Sequence, residues 1–107
     1  MANESIALTE AVYYILLSLH SPLHGYGIMQ QVEEFSAGRV KLAAGTLYGA
    51  LGTMQEKGWI TALPGPISSR KKEYVITALG REIAARELMR LRELLANGEK
   101  MIEGGVQ

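Results

Sequence analysis

The apolar positions of this 107-residue chain form three helical stripes, then two short alternating runs, then a fourth helical stripe. Apolar side chains spaced three or four residues apart mark one face of a helix, whereas strict alternation marks a strand. The pattern predicts helices over about 9–19, 25–35 and 45–57, and strands over 60–63 and 72–77. A long amphipathic helix is predicted for the remainder of the chain.

Capping and turn-forming residues bound the first two predicted helices. Thr9 is expected to cap the first helix, and Ser21-Pro22 to end it, because proline disfavours helical backbone in the residue before it. The second helix is expected to stop at Ala37-Gly38. Its inward-facing residues are expected to be Ile28, Val32 and Phe35. A very short strand is predicted where charged and apolar residues alternate, at Arg39, Val40, Lys41 and Leu42.

The most informative stretch is 45–60, which reads GTLYGALGTMQEKGWI. Leu47, Leu51 and Met54 share one helical face, since successive residues are about 100° apart around a helix. Lys57-Gly58 is a helix stop signal, and an extended apolar run begins directly after it. A short helix that leads straight into a hairpin is typical of a winged helix-turn-helix, in which that helix reads DNA.

The hairpin and the final helix complete this architecture. The connection PGPISSRKK joins two strands whose Tyr74 and Ile76 can face a core, and Thr77 is expected to cap the last helix. Asn97-Gly98 is expected to end or fray that helix. We therefore predict a mainly α (α+β) fold, with a winged helix-turn-helix domain at 1–77 and a C-terminal dimerisation helix with a short tail at 78–107.

The final helix carries an apolar seam with no later element to cover it. Its spacings of four, three and four residues resemble those of a coiled coil. A second copy of the chain is the simplest partner, and packing against the helix's own domain is the alternative. The residues predicted for dimerisation are Ala84, Leu88, Leu91 and Leu95.

Composition narrows the class of protein. The chain has no cysteine, which excludes a disulfide framework and thiolate zinc sites and fits a reducing, cytoplasmic compartment. Apolar runs such as 15–17 are far too short to span a bilayer. The N-terminus carries acids and no early Lys or Arg, so a signal peptide is not expected.

Charge is distributed unevenly, although the formal net charge is zero. Residues 1–36 contain four acids and no Lys or Arg, whereas 37–77 contain six cations and two acids, a net charge of +4. DNA binding follows the local potential more than the total charge. Chance clustering on a solvated surface is the alternative explanation.

Three stretches resemble one known family, namely HGYGI at 24–28, the stretch at 45–60, and EYVITALGRE at 73–82. In order and spacing they are similar to PadR-like transcriptional regulators, and the single helix after the wing is similar to the short-tailed branch. The resemblance implies a homodimeric repressor that a small hydrophobic or phenolic effector releases from an operator in double-stranded DNA. The chain departs from the family pattern at Gly49, often proline, at Thr53, often arginine, and at Glu73, often aromatic.

Candidate DNA contacts lie on the third helix, at the start of the second, and at the wing tip. Threonine hydroxyls reach phosphates or bases, a tyrosine hydroxyl donates to a phosphate, and cations pair with phosphates. The alternative for Tyr48 is a half-buried ring against the second helix, and the alternative for the wing cations is a solvated charge run. The candidates are Tyr26, Thr46, Tyr48, Thr53, Lys57, Arg70, Lys71 and Lys72.

The sequence gives little support for a metal site, a cofactor site or an enzyme active site. His20 and His24 are four residues apart, but Pro22 breaks the helix that would align them, so no metal is expected. No nucleophile–base pair or phosphate-cradling loop is present, and neither a cofactor nor enzymatic activity is expected.

Two alternative functions remain open: a protein-interaction module and a small-molecule-binding dimer without selective DNA binding. A pocket between paired long helices would be lined by Ile6, Leu8, Met89 and Leu95.

Overall fold

The computed structural model describes residues 7–64 and 72–104, and within these ranges it contains four α-helices and three short strands. A π-helical turn, Glu99–Glu103, continues the last helix. The predicted mainly α fold is confirmed. The elements are α1 Glu10–Ser18, β1 Leu23–His24, α2 Gly25–Phe35, α3 Ala44–Glu56, β2 Ile60–Leu63, β3 Glu73–Ile76 and α4 Ala78–Gly98.

Side-chain caps start three of the four described helices. The Thr9 hydroxyl accepts from the Val12 N–H (3.1 Å), and the Thr77 hydroxyl accepts from the Gly80 N–H (3.0 Å), as the sequence predicted. The His24 Nδ1 accepts from the Gly27 N–H at 3.4 Å. Each cap satisfies a donor that would lack a partner inside its helix.

The strand predicted at 39–42 is wrong, and the third strand of the sheet is β1 instead. The sheet order is β1-β3-β2, with Leu23 opposite Tyr74 in an antiparallel register. The buried Ser36 accepts from the Val40 N–H at 2.9 Å. This local hydrogen bond takes up a donor that a strand ladder would have used, and it shapes 36–40 as a loop.

A single hydrophobic core lies between the helices and the sheet. Its buried residues come from every described helix and from β2 and β3. Phe35 was predicted to join them, but it remains 44% exposed and stacks on Tyr14, with ring centroids 5.3 Å apart. The core comprises Ile15, Leu16, Leu19, Ile28, Val32, Leu47, Leu51, Met54, Ile60, Tyr74, Ile76 and Ala84.

We call β2, β3 and the segment that joins them the wing. The wing is attached to α4 at a corner made by Gly58, Trp59, Thr77 and Gly80. The Thr77 N–H donates to the Trp59 carbonyl (3.0 Å), and the Thr77 hydroxyl donates to the Gly58 carbonyl (2.6 Å). Gly80 lies so close that an added Cβ would overlap the Trp59 carbonyl oxygen and lie 2.7 Å from Ile76 Cγ1. We call these four residues the wing–α4 corner.

A buried carboxylate attaches the start of the described chain to α4. Glu87 is 4% exposed, pairs with Arg90 at 2.6 Å, and accepts from the Leu8 N–H at 3.4 Å. The hydrogen bond from Arg90 holds the pKa of the Glu87 carboxyl below its usual value. The chain entering α1 is thereby held against α4.

The α-helical part of the final helix ends at Gly98, as the sequence predicted, but a π-helical turn continues the helix beyond it. Gly98 has helical dihedrals (φ −65°, ψ −42°), and the π turn carries the helix on to Glu103. The helix ends at Gly104, whose N–H donates to the Glu99 carbonyl at 2.9 Å. The consequence is a longer exposed helix beyond the core than the sequence suggested.

Replacing Gly80 with alanine is expected to lower the free energy of unfolding by about 2–3 kcal/mol, because the new methyl group would overlap the Trp59 carbonyl group. Gly52→Ala is the matched control. Its added Cβ meets nothing within 4 Å, so it should stabilise the helix by about 1 kcal/mol. Urea unfolding followed by circular dichroism measures both changes. Equal stability of the two variants would contradict the close packing at the wing–α4 corner.

Candidate nucleic-acid interface

The outward face of α3 presents bare backbone. Leu47, Leu51 and Met54 are buried on its inner face. A Cβ added at Gly49 or Gly52 would meet nothing within 4 Å, so both glycines face open space. An incoming surface can therefore approach the backbone of this helix more closely than any side chain would permit.

Threonine hydroxyls flank this glycine face. Thr46 and Thr53 are both exposed. The Thr53 hydroxyl donates to the Gly49 carbonyl at 3.2 Å, and its oxygen remains free to accept from a further donor. The face therefore offers polar groups without a cation of its own.

Tyr48 joins α3 to the start of α2. The hydroxyl end of its ring lies against Gly25, where an added Cβ would overlap the Tyr48 hydroxyl and lie 2.9 Å from Cζ. The packing alternative therefore holds for the hydroxyl end of this ring. The residue is still 50% exposed.

Tyr26 lies next to this contact in the first turn of α2. It is 62% exposed, and its hydroxyl accepts from the Gln30 amide at 3.4 Å. Gly25, which packs against Tyr48, is its chain neighbour. The two tyrosines thus flank a helix N-terminus, where unpaired backbone N–H groups favour an anion such as a phosphate.

The predicted cations differ in what they contact. Lys57 Nζ lies 5.4 Å from the centroid of the Trp59 ring, an arrangement typical of a cation–π contact. Lys72 is exposed immediately before β3. The wing-tip candidates Arg70 and Lys71 lie outside the described residues, as does Ile6 of the predicted ligand set.

One cation in the basic segment has a structural partner that the sequence did not reveal. Arg39 pairs with Glu10 through both guanidinium ends, at 3.1 Å for Nη1 to Oε1. This hydrogen bonding lowers the pKa of the Glu10 carboxyl, although the pair is largely exposed. Because its charge is balanced by Glu10, Arg39 adds little to the positive potential counted in 37–77.

The predicted dimerisation residues divide between the core and the surface. Ala84 is buried against its own domain, whereas Leu88, Leu91 and Leu95 are exposed. The same stripe continues through two exposed residues that the sequence analysis did not include, Leu94 and Ile102. Their recurrence at helical spacing in 78–104 was the signal that would have identified them.

The predicted ligand residues are not brought together within one chain. Leu8 meets α4 at Glu87. Met89 is two residues further along α4, about 160° away around the helix axis. It lies about 120° from Leu95 by the same geometry. A pocket that uses all three would therefore need surfaces from more than one chain.

The described residues contain neither a group of side chains suited to a metal ion nor a membrane-spanning helix. Within 7–64 and 72–104, no three His, Cys, Asp or Glu side chains are grouped to hold a metal ion. His24 instead caps α2. No helix in those ranges is both long and apolar enough to cross a bilayer.

The sequence profile of the family described as "Transcriptional regulator PadR-like family" matches residues 14–86. A 66-residue stretch is 38% identical to an uncharacterized 37.1 kDa protein in transposon TN4556 of Streptomyces fradiae. That match covers 62% of this chain but only 18% of the relative. The chain therefore spans less than a fifth of that protein's length.

Solved structures show the same fold at low identity. A PadR family transcription regulator from Clostridium difficile is 24% identical with a TM-score of 0.75, over 86% of this chain and 97% of that one. The smu.1704 protein of Streptococcus mutans is 18% identical with a TM-score of 0.72, over 100% and 98%. A transcriptional regulator from Clostridium thermocellum is 18% identical with a TM-score of 0.71, over 86% and 91%.

Thr53→Arg should tighten binding to a cognate DNA fragment about threefold to tenfold, because it adds a cation to the flank of an α3 face that has none. It should also steepen the salt dependence, by about 0.9 in log–log slope for each further phosphate that the protein neutralises. Thr53→Gln is the matched control, with a long polar side chain but no charge. Fluorescence anisotropy over a series of salt concentrations measures both variants. Equal effects of Arg and Gln would exclude an electrostatic role for this position.

Proposed function

The chain belongs to the PadR-like family of transcriptional regulators, and from this premise we propose that it is a homodimeric repressor released from its operator by a small hydrophobic or phenolic effector. DNA-binding transcriptional regulation is the function of the family. Repression, dimerisation and release are the proposed part. The observation that carries the proposal is the exposed glycine and threonine face of α3 beside the wing.

In the proposed complex, α3 enters the major groove and sets the position of the protein. Gly49 and Gly52 allow its backbone to approach the base edges or the phosphates closely. Thr46 and Thr53 supply hydroxyl groups for hydrogen bonds to either. Tyr26 and Tyr48 are proposed to contact a phosphate at the N-terminus of α2.

The wing is proposed to supply most of the electrostatic affinity. The third helix carries only Glu56 and, at its end, Lys57 as charged residues. The sequence before β3 carries Arg70, Lys71 and Lys72 in succession. Binding through these cations releases counterions from DNA, so affinity should fall steeply as salt rises.

Dimerisation is proposed to use the exposed stripe of α4. A helix of 21 residues is about 32 Å long, and the stripe runs along its second half. Leu95 and Ile102 of this stripe are 61% and 81% exposed, and contiguous exposed apolar residues mark sites of protein–protein contact. A two-fold dimer presents two α3 helices to DNA, and the operator should then contain two symmetric half-sites.

A protein-interaction module is the second candidate. It is favoured by the shortage of cations on α3, where the family often carries arginine at the position of Thr53. Genomic selection of bound DNA fragments separates the two candidates. Recovery of one symmetric motif supports the repressor, and a folded protein that enriches no sequence supports the module.

The double variant Arg70→Ala with Lys71→Ala should weaken operator binding at least tenfold and reduce the salt slope by up to about 0.9 for each phosphate that is no longer neutralised. The charge-matched control is Arg86→Ala with Arg92→Ala, which removes two cations from α4. Electrophoretic mobility shifts at several salt concentrations measure both. If the two double variants bind alike, the wing contributes nothing specific to the affinity.

Leu91→Glu combined with Leu95→Glu should convert the dimer to a monomer, since a charge cannot be buried unpaired in an apolar interface. Ala96→Glu places one such charge on another face of α4 and should leave the dimer intact. Light scattering after size-exclusion chromatography measures the mass. A dimer that persists in the double variant would place the interface elsewhere.

A further inference from the structure

An apolar groove lies beside α3, on the flank that faces the start of α1. Its volume is about 330 Å³, at the lower end of the range for small-molecule sites. Its lining includes Leu8 and Val12 at the start of the described chain, Ala50 and Met54 of α3, and Trp59. We call this space the Trp59 groove. It shares Leu8 with the predicted pocket between paired α4 helices, but it does not include Met89 or Leu95.

Hydrogen bonds hold the backbone of two residues that line the groove. The backbone N–H of Trp59 donates to the Met54 carbonyl (3.0 Å), and its backbone carbonyl accepts from the Thr77 N–H (3.0 Å). Leu8 is held by the hydrogen bond from its backbone to Glu87. A site whose walls are already in place loses little conformational entropy when it binds a ligand.

The charges at the groove favour an anion. Among the lining residues that the structure describes, Lys57 is the single charged side chain, and its Nζ lies over the Trp59 ring. The N-terminus of α1 at Thr9 also opens onto the groove and contributes the positive end of a helix dipole. Two nearby acids are already paired, Glu10 with Arg39 and Glu87 with Arg90. Glu56 precedes Lys57 in the chain but is exposed and does not line the groove.

We propose that the Trp59 groove binds a planar, apolar compound with one anionic group. Its rings lie against Trp59 and Met54, and its anionic group pairs with Lys57. The apolar walls and the aromatic ring accept a flat hydrocarbon surface, and the cation at the rim selects a carboxylate over a neutral analogue.

Binding in the groove would oppose DNA binding, because both use the same flank of α3. Thr53 and Lys57 line the groove and are also among the residues proposed to contact DNA. A bound anion would hold Lys57 in the groove and place a second negative charge near the phosphates. This consequence rests on the proposed function, whereas binding in the groove does not.

Trp59 is the single tryptophan of the chain and reports directly on the groove. Biphenyl-4-carboxylate should quench its emission with saturation when added to the DNA-free protein. Biphenyl-4-carboxamide, which has the same shape without the charge, should bind about threefold to fivefold more weakly. Lys57→Met should abolish this preference, and Lys57→Arg should retain it.

Ala50→Phe is expected to fill the groove and to weaken carboxylate binding at least tenfold. Ala96→Phe on α4 is the matched control and should bind like the unaltered protein. Circular dichroism establishes that each variant is folded. Leu95→Ser should leave the quenching unchanged, because that residue belongs to the other pocket.

Three outcomes would overturn the groove proposal. They are the absence of saturable quenching, equal affinity for the acid and the amide, and undiminished binding by a folded Ala50→Phe variant. A Trp59 emission that depends on protein concentration and resists the carboxylate would show that a second copy of the chain occupies the groove. If the carboxylate quenches Trp59 but the protein shifts no DNA, the groove proposal stands and the repressor proposal fails. If the protein shifts DNA but the carboxylate does not quench Trp59, the repressor proposal stands and the groove proposal fails.

Discussion

The Trp59 carbonyl oxygen accepts the hydrogen bond that joins the two ends of the wing. Thr77 donates its N–H to this oxygen, and its hydroxyl caps the first turn of α4 while donating to Gly58. Gly80 is required next to it because any larger residue would overlap the same carbonyl. One threonine therefore closes the hairpin, starts α4 and sets the direction in which that helix leaves the domain. The position of α3 depends on the same corner, since Trp59 follows Gly58 directly after α3.

Interactions between residues close in the sequence were the ones that the sequence predicted well. The caps at Thr9 and Thr77 each involve an N–H three residues away, so their chemistry is visible in a short window. The two residues of β1 carry no periodic signal, because they become a strand only by pairing with Tyr74 and Glu73, about fifty positions later. The alternation at 39–42 was equally local but misleading, since Ser36 supplied a competing hydrogen bond to Val40.

The candidate site shows the same division. The outward face of α3 follows from its helical period, and its exposure agrees with the placement of Gly49, Gly52 and Thr53. The pairing of Arg39 with Glu10 spans 29 residues, and a count of charges cannot detect it. The position of Lys57 over Trp59 likewise depends on the turn at Gly58, where a positive φ of 79° folds the chain back. Sequence therefore indicates which face is exposed, whereas the availability of each cation depends on tertiary contacts.

In the proposed dimer, α4 would connect the dimer interface to the wing through one continuous helix. Its first half packs Gly80 and Ala84 against the domain, and its second half presents Leu91 and Leu95 to solvent. A partner that covers the second half would constrain the tilt of the whole helix, because an uninterrupted helix transmits a change of tilt along its length. No side chain lies between Gly80 and the Trp59 carbonyl to absorb such a change. In the proposed dimer, the spacing of the two α3 helices and the shape of the Trp59 groove would consequently both depend on the contact between Gly80 and the Trp59 carbonyl.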